Sequence, residues 1–154
     1  MTNTLEEKEA IRDVLQQAGA LLDAEAFSDW IDLFAQDAMY EVRAYSTEIG
    51  VEMEWMKLNR DELKALLEQV PEHLRDLAQR LHLVSPVTVN IQDQEANSVS
   101  AFAIFRTTQD GVTQCYAVGQ YEDTLVKQEG AWRFLQRTVR LHTRVLEVAT
   151  HVPF

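Results

Sequence analysis

The segment 113-TQCYAVGQYEDTLVK-127, the turn Gln128-Glu129-Gly130 and the segment 131-AWRFLQRTVRLHTRV-145 decide the fold. Both segments alternate in polarity, and a short glycine-bearing turn joins them, so they form a long antiparallel hairpin. Such a hairpin is stable in water only with a third strand, a helix layer and a buried face. In the second segment Leu135, Val139, Leu141 and Val145 are expected on the apolar face, and Gln136, Thr138, Arg140, His142 and Arg144 on a polar, basic one. Trp132 and Phe134 are expected to close the wide end of the core. Gly119, in mid-strand, marks either a bend or a close packing contact.

Working outward, Asp110-Gly111 is a hairpin turn that leads back into a strand over 98–108, and a turn at 94–97 leads back into another. In that earlier strand Leu81, Leu83, Val87, Val89 and Ile91 are expected on one buried face. The upstream part reads as helical. Thr4-Leu5-Glu6-Glu7 has the form of a capping box, and Ile11, Val14, Leu15, Ala18, Leu21 and Leu22 recur at helical spacing behind it. Ser28 is expected to cap a short helix carrying Trp30, Leu33 and Phe34, followed by a strand over 38–45. Residues 46–58 show no clean period and are read as a loop packed on its own chain, a loop packed against a neighbour, or a lid over a pocket. Asn59-Arg60-Asp61-Glu62 caps a helix burying Leu63, Leu66, Leu67 and Val70; Pro71 ends it, and a further helix is expected over 71–80 with Leu74, Leu77 and Ala78 inward.

The chain has 154 residues, the size of one domain with one core, and no repeat or linker divides it, so 1–154 is read as a single domain. Its formal net charge of -11 disfavours nucleic acid and anionic membrane as partners, since phosphate binding needs clustered Lys and Arg. No apolar run is long enough to span a bilayer and the first ten residues are acidic and polar, so a cytoplasmic location is expected. The single cysteine, Cys115, excludes an intrachain disulfide and is expected to be a buried small hydrophobe.

Helices interrupted by one strand and followed by a four-strand meander make an α+β domain, in the order αα-β-αα-ββββ of the NTF2-like cone, whose curved sheet wraps the helices. Three sets of residues add a closer resemblance. Asp29-Trp30, Leu33-Phe34, Asp37 and Tyr40 resemble the opening of the small, or β, subunits of aromatic-ring-hydroxylating dioxygenases. Arg80-Leu81-His82-Leu83-Val84-Ser85 resembles their entry to the second strand, and Trp132-Arg133-Phe134 with Arg137-Thr138-Val139-Arg140-Leu141 their last strand. Tyr45-Ser46-Thr47-Glu48-Ile49 and the stretch 53–56 resemble the small subunits of sulfonate-oxidising relatives. Pro86 departs from the family, which continues there with a polar residue.

The resemblance implies a non-catalytic β subunit of an α3β3 oxygenase acting on an aromatic or sulfonated substrate. It implies a trimer of these chains bound to catalytic α subunits, which carry a Rieske [2Fe–2S] cluster and a mononuclear Fe(II). This chain is expected to hold neither. The cluster takes two Cys and two His where only Cys115 is present, and His73, His82, His142 and His151 show no paired ligand spacing.

Two further readings use the same fold. A stand-alone dehydratase or isomerase would carry out proton transfers inside the cone, with Tyr40, His82, Asp29 and Tyr116 as candidate groups. A free-standing ligand-binding module would do no chemistry at all. For the assembly reading, the concentration of Arg140, His142 and Arg144 on one row of an acidic protein points to a subunit interface, as does the apolar Phe154 in the last residues, which is expected to dock, with a neighbouring subunit as the seat considered for it.

Overall fold

The computed structural model describes residues 3–72, 76–150 and 152–154. Helices α1 (Thr4–Asp23) and α2 (Phe27–Ile31) precede strands β1 (Phe34–Ser46) and β2 (Val51–Asn59), then helix α3 (Arg60–Gln69) and a 3-10 turn, Val70–Glu72. Strands β3 (Gln79–Gln92), β4 (Glu95–Thr107), β5 (Thr113–Gln128) and β6 (Ala131–Leu141) complete the chain. The six strands form one sheet in the order β2-β1-β6-β5-β4-β3. Every neighbouring pair is antiparallel except β1 with β6, which are parallel. This α+β arrangement is the NTF2-like cone anticipated, although the order of described elements is αα-ββ-α-ββββ rather than αα-β-αα-ββββ.

Helix α1 lies on β3 and buries Ile11, Leu15, Ala18 and Leu22. The contact is close: a Cβ on Gly19 would stand 2.9 Å from the Cβ of His82. The helix is capped by Asn3, whose side chain accepts from the Leu5 N–H, so the cap lies one residue before the expected Thr4. Asn59 and Glu62 form the expected capping box of α3, an arrangement whose cap side chain contributes about 1 kcal/mol. Helix α2 starts at Phe27 with no side-chain cap, and Phe34 already belongs to β1. Trp30, Phe34 and Phe134 nevertheless meet in the core, with Trp30 and Phe34 ring centroids 4.7 Å apart and Phe34 and Phe134 5.1 Å apart.

Four further expectations, about strands and the 71–80 segment, change, and sheet irregularities or a turn explain each. Residues 46–58 are no loop or lid: they turn and run back along β1 as edge strand β2. A bulge skips Trp55, so Val42 faces Met56 while Arg43 faces Glu54, and this hides the alternation that marks a strand. On β3 the register slips between Pro86 and Thr88, so the half before the slip presents the opposite face. Val89 is buried, but Leu81 and Leu83 are more than half exposed on the outer face. On β6 a slip opposite Thr124/Leu125 makes Leu135 the extra residue, and the strand ends at Leu141, leaving Val145 exposed. Of the span 71–80 expected as a helix, the described residues hold the end of the 3-10 turn and the start of β3; Leu77 is exposed, and Leu74 lies outside the described residues.

Gly119 resolves to close approach. It pairs with Leu141, and a Cβ there would sit 2.2 Å from the Arg140 carbonyl oxygen, a distance no side chain tolerates. In the β5–β6 turn Glu129 and Gly130 both have positive φ, which Gly130 adopts without strain.

Candidate functional site

The helix-facing side of the sheet contains an ion pair absent from the sequence reading. Arg137 on β6 is 1% exposed and Asp123 on β5 is 3% exposed. Their contact is bidentate, with Arg137 Nε and Nη2 donating to the two Asp123 carboxylate oxygens at 2.9 and 3.0 Å. The guanidinium lies 3.8 Å from the Tyr121 ring centroid and 4.4 Å from that of Phe134, so aromatic faces cover what the carboxylate does not. Burial pushes the Asp123 carboxyl upward and the guanidinium draws it back. Burial acts to lower Arg137, and the Asp123 charge more than offsets it, keeping the guanidinium protonated. Arg137 was findable in principle, because it occupies an odd position between Leu135 and Val139. Its partner was not, since an unbulged register from the Gln128–Ala131 end of the hairpin would set Asp123 against Gln136 instead.

The four residues named for an enzyme occupy separate settings. Tyr40 is buried, edge-on to Trp30, and its hydroxyl accepts from the Phe154 N–H at 3.0 Å; burial raises its pKa. His82 faces α1. Its Nδ1 stands 2.5 Å from Asp23 Oδ1, and its backbone N–H donates to Asp23 Oδ2 at 2.7 Å, so the pair ties the end of α1 to β3. The other ring nitrogen, Nε2, is buried without a hydrogen-bond partner. Tyr116 donates to the Val148 carbonyl at 2.6 Å under the Arg80 guanidinium, and burial raises its pKa. Asp29 is exposed on α2. No described hydrogen bond joins any two of the four. Sequence reasoning had not assigned Asp23, and the only signal for it is its place at the end of α1.

Beside the His82–Asp23 contact, a cleft of about 240 Å³ is lined by Asp23, Glu25, Asp76 and Arg80 among others. Asp76 is engaged by Arg106, whose Nε and Nη2 donate to it at 2.7 and 2.8 Å. These bonds hold the Asp76 carboxyl down at about 2.

The outer face has two zones. Across β1, β2, β5 and β6 lies a lattice of charge. Arg43 donates to Glu41 at 2.7 Å and approaches Glu52 and Glu54, while Lys57 reaches Glu41 at 3.5 Å. Arg140 donates to Glu122 at 2.7 Å and also pairs with Glu52, and Arg144 pairs with Glu48. The Arg144 hydrogen bond holds the Glu48 carboxyl down at about 2. The row expected to pair with another subunit is therefore paired within the chain at Arg140 and Arg144, and His142 is exposed. Toward the other edge the face turns apolar: Leu81 pairs across β4 and β5 with Phe105 and Cys115, and Leu83 with Ala103 and Val118. Cys115 is exposed there rather than buried.

Phe154 is 4% exposed and docks on its own chain against Tyr40, rather than on the neighbouring subunit considered for it. Among the described residues no three His, Cys, Asp or Glu side chains converge to hold a metal. The donor set of the chain, with Cys115 alone, does not fit a Rieske cluster. No helix among the described residues is long and apolar enough to cross a membrane.

The SnoaL-like domain pattern matches residues 3–138. The chain is 30% identical to the β subunit of the methanesulfonate monooxygenase hydroxylase of Methylosulfonomonas methylovora, over 94% of this chain and 86% of that protein. It is also 30% identical to the β subunit of the 2-aminobenzenesulfonate 2,3-dioxygenase of an Alcaligenes species, over 94% of this chain and 97% of that one. The crystal structure of the β subunit of a candidate aromatic-ring-hydroxylating dioxygenase from Novosphingobium aromaticivorans superimposes with a TM-score of 0.81 at 24% identity, covering 94% of each chain. The chain therefore belongs to the SnoaL-like domain family, among the β subunits of hydroxylating oxygenases.

Proposed function

We propose that this chain is the non-catalytic β subunit of a cytoplasmic multicomponent oxygenase, which it holds together as an α3β3 assembly. The observation that carries this reading is the end-to-end similarity to two β subunits of sulfonate-oxidising enzymes, which cover nearly the whole chain. The separation of Tyr40, His82, Asp29 and Tyr116 supports it over the stand-alone enzyme, since proton transfer needs its donor and acceptor within reach of one substrate atom. In this reading the Rieske cluster and the mononuclear iron reside in the α subunit, and the substrate is a sulfonate or an aromatic compound.

The assembly surface is the outer face of the sheet. Leu81 and Leu83 with Phe105 supply an apolar centre, and Arg140, His142 and Arg144 with their carboxylates supply a polar rim, the usual layout of a protein interface. Because Arg140 and Arg144 already have partners, their part is to present a fixed pattern of charge rather than to seek new ions. Phe154 fixes the end of the chain from inside.

Purification of the native complex through a tag on this chain tests the reading. Co-elution of a larger subunit carrying iron and acid-labile sulfide is the expected result. A chain that elutes alone from its own host and isomerises a small enone or dehydrates a hydroxylated substrate would overturn it.

A further inference from the structure

The part of the outer face built by β3, β4 and β5 differs from the rest of this charged chain. Leu81, Phe105 and Cys115 form one cross-strand row, and Leu83, Ala103 and Val118 the next. The row on each side, from Gln79 to Thr113 and from Ser85 to Gln120, carries no charged side chain either. Four rows across three strands cover about 400 Å², well short of the ~800 Å² that each partner gives to a stable interface. Two copies meeting through this face alone would bury too little, so a lasting contact needs a second surface.

A suitable one stands near the opposite edge of the sheet, at the turn between β1 and β2. Tyr45 is 56% exposed there, Ile49 67% and Val51 53%. The turn is held in place: Arg144 and the Ser46 hydroxyl both engage Glu48, and Arg140 engages Glu52. These contacts also neutralise the two carboxylates, so the turn can approach an uncharged face without burying an unpaired charge. The two surfaces are unlike, and β6, β5 and β4 separate β1 from β3 in the sheet. A patch that recognises itself joins two copies about a twofold axis, whereas two unlike patches on separate sides of one chain join copies head to tail and can close a ring.

We propose that the β1–β2 turn of one copy of this chain seats on the uncharged β3–β4–β5 face of the next, with Tyr45, Ile49 and Val51 set against Leu81, Leu83 and Phe105. Each copy in the ring uses both surfaces, which supplies the area that the uncharged face alone lacks. The inference rests on the assembly reading above and gives its apolar centre one partner, a second copy of this chain rather than the larger subunit.

Disulfide trapping tests it, on the chain alone and on the purified complex. Chains carrying Cys115→Ser with Ile49→Cys are co-expressed with chains carrying Cys115→Ser with Leu83→Cys, and a mild oxidant is added. All three positions are exposed, so the substitutions leave the core untouched. The bond between positions 49 and 83 is expected to form about tenfold faster than either like-paired bond, because seated copies hold those two thiols at high effective concentration. Adding Leu81→Glu to the second chain is expected to remove that advantage. A predominance of 83–83 bonds, as a self-pairing patch would give, or equal rates for all three bonds, would overturn the proposal. A complex that retains its larger subunit without a preferred 49–83 bond sinks this inference and leaves the proposed function standing. A preferred 49–83 bond in a chain that has no larger subunit does the reverse.

Discussion

Arg137 and Arg140 stand three residues apart on one strand, and both pair with carboxylates on β5, yet they belong to different environments. Arg137 faces the helices, is 1% exposed, and meets Asp123 in a fork between two aromatic rings. Arg140 faces outward, is about 39% exposed at its side chain, and shares Glu122 and Glu52 with the surface lattice. The alternation of a strand makes this difference, and solvent sets its consequence. Water screens the outer pair and pays little to lose it, whereas the inner pair has given up its hydration and depends on each partner for the other. The inner arginine therefore concerns the fold, and the outer one the surface that the fold presents.

The largest expected effect comes from breaking the inner pair. Arg137→Ala leaves Asp123 buried and uncompensated and is expected to cost about 3–5 kcal/mol by urea unfolding. Replacing both partners with Met and Leu is expected to recover most of that loss; a double variant as unstable as the single one would contradict this account. Next comes the backbone contact behind the outer arginine. Gly119→Ala drives a methyl into the Arg140 carbonyl and is expected to cost about 1–3 kcal/mol, visible as a lowered Tm.

A pH titration sharpens the comparison further. The Asp76 carboxyl lies at about 2 in the folded chain against an ordinary 3.8, held there by Arg106. A depressed carboxylate pKa adds stability that is complete above the ordinary value and is lost as pH falls through the folded one. Stability is therefore expected to decline between about pH 4 and pH 2, and Asp76→Asn to flatten that decline in acid unfolding curves. The smallest effect belongs to Arg140→Ala, which is expected to cost less than about 1 kcal/mol and to lose even that in high salt. A loss comparable to that of Arg137→Ala would erase the distinction between the two faces.

The architecture was legible because its strongest signals are local. The β5–β6 hairpin, the Asn59 cap and the helical period of Ile11, Leu15, Ala18 and Leu22 each declare themselves within a few residues. What stayed hidden depends on register. One extra residue at Leu135 moves Arg137 opposite Asp123, one at Trp55 disguises β2, and the slip after Pro86 turns Leu81 and Leu83 outward. Each bulge breaks the period by which a face is read, and its position is set by packing across the sheet rather than by neighbours in sequence. The Asp23–His82 contact was out of reach for a related reason, since a helix end and a strand start far apart in sequence share no local signal. The charge pattern of Arg140 and Arg144 was visible, but two of their carboxylate partners, Glu52 and Glu48, lie in the stretch whose strand went unrecognised.

The central claim is that the outer face assembles while the inner face folds. Light scattering on the complex formed by the Leu81→Glu/Leu83→Glu variant, co-expressed with the α subunit that the proposed function assigns to it, tests it most directly. The account predicts loss of the large assembly with the circular dichroism and Tm of the isolated chain nearly unchanged. An assembly of undiminished mass would contradict it.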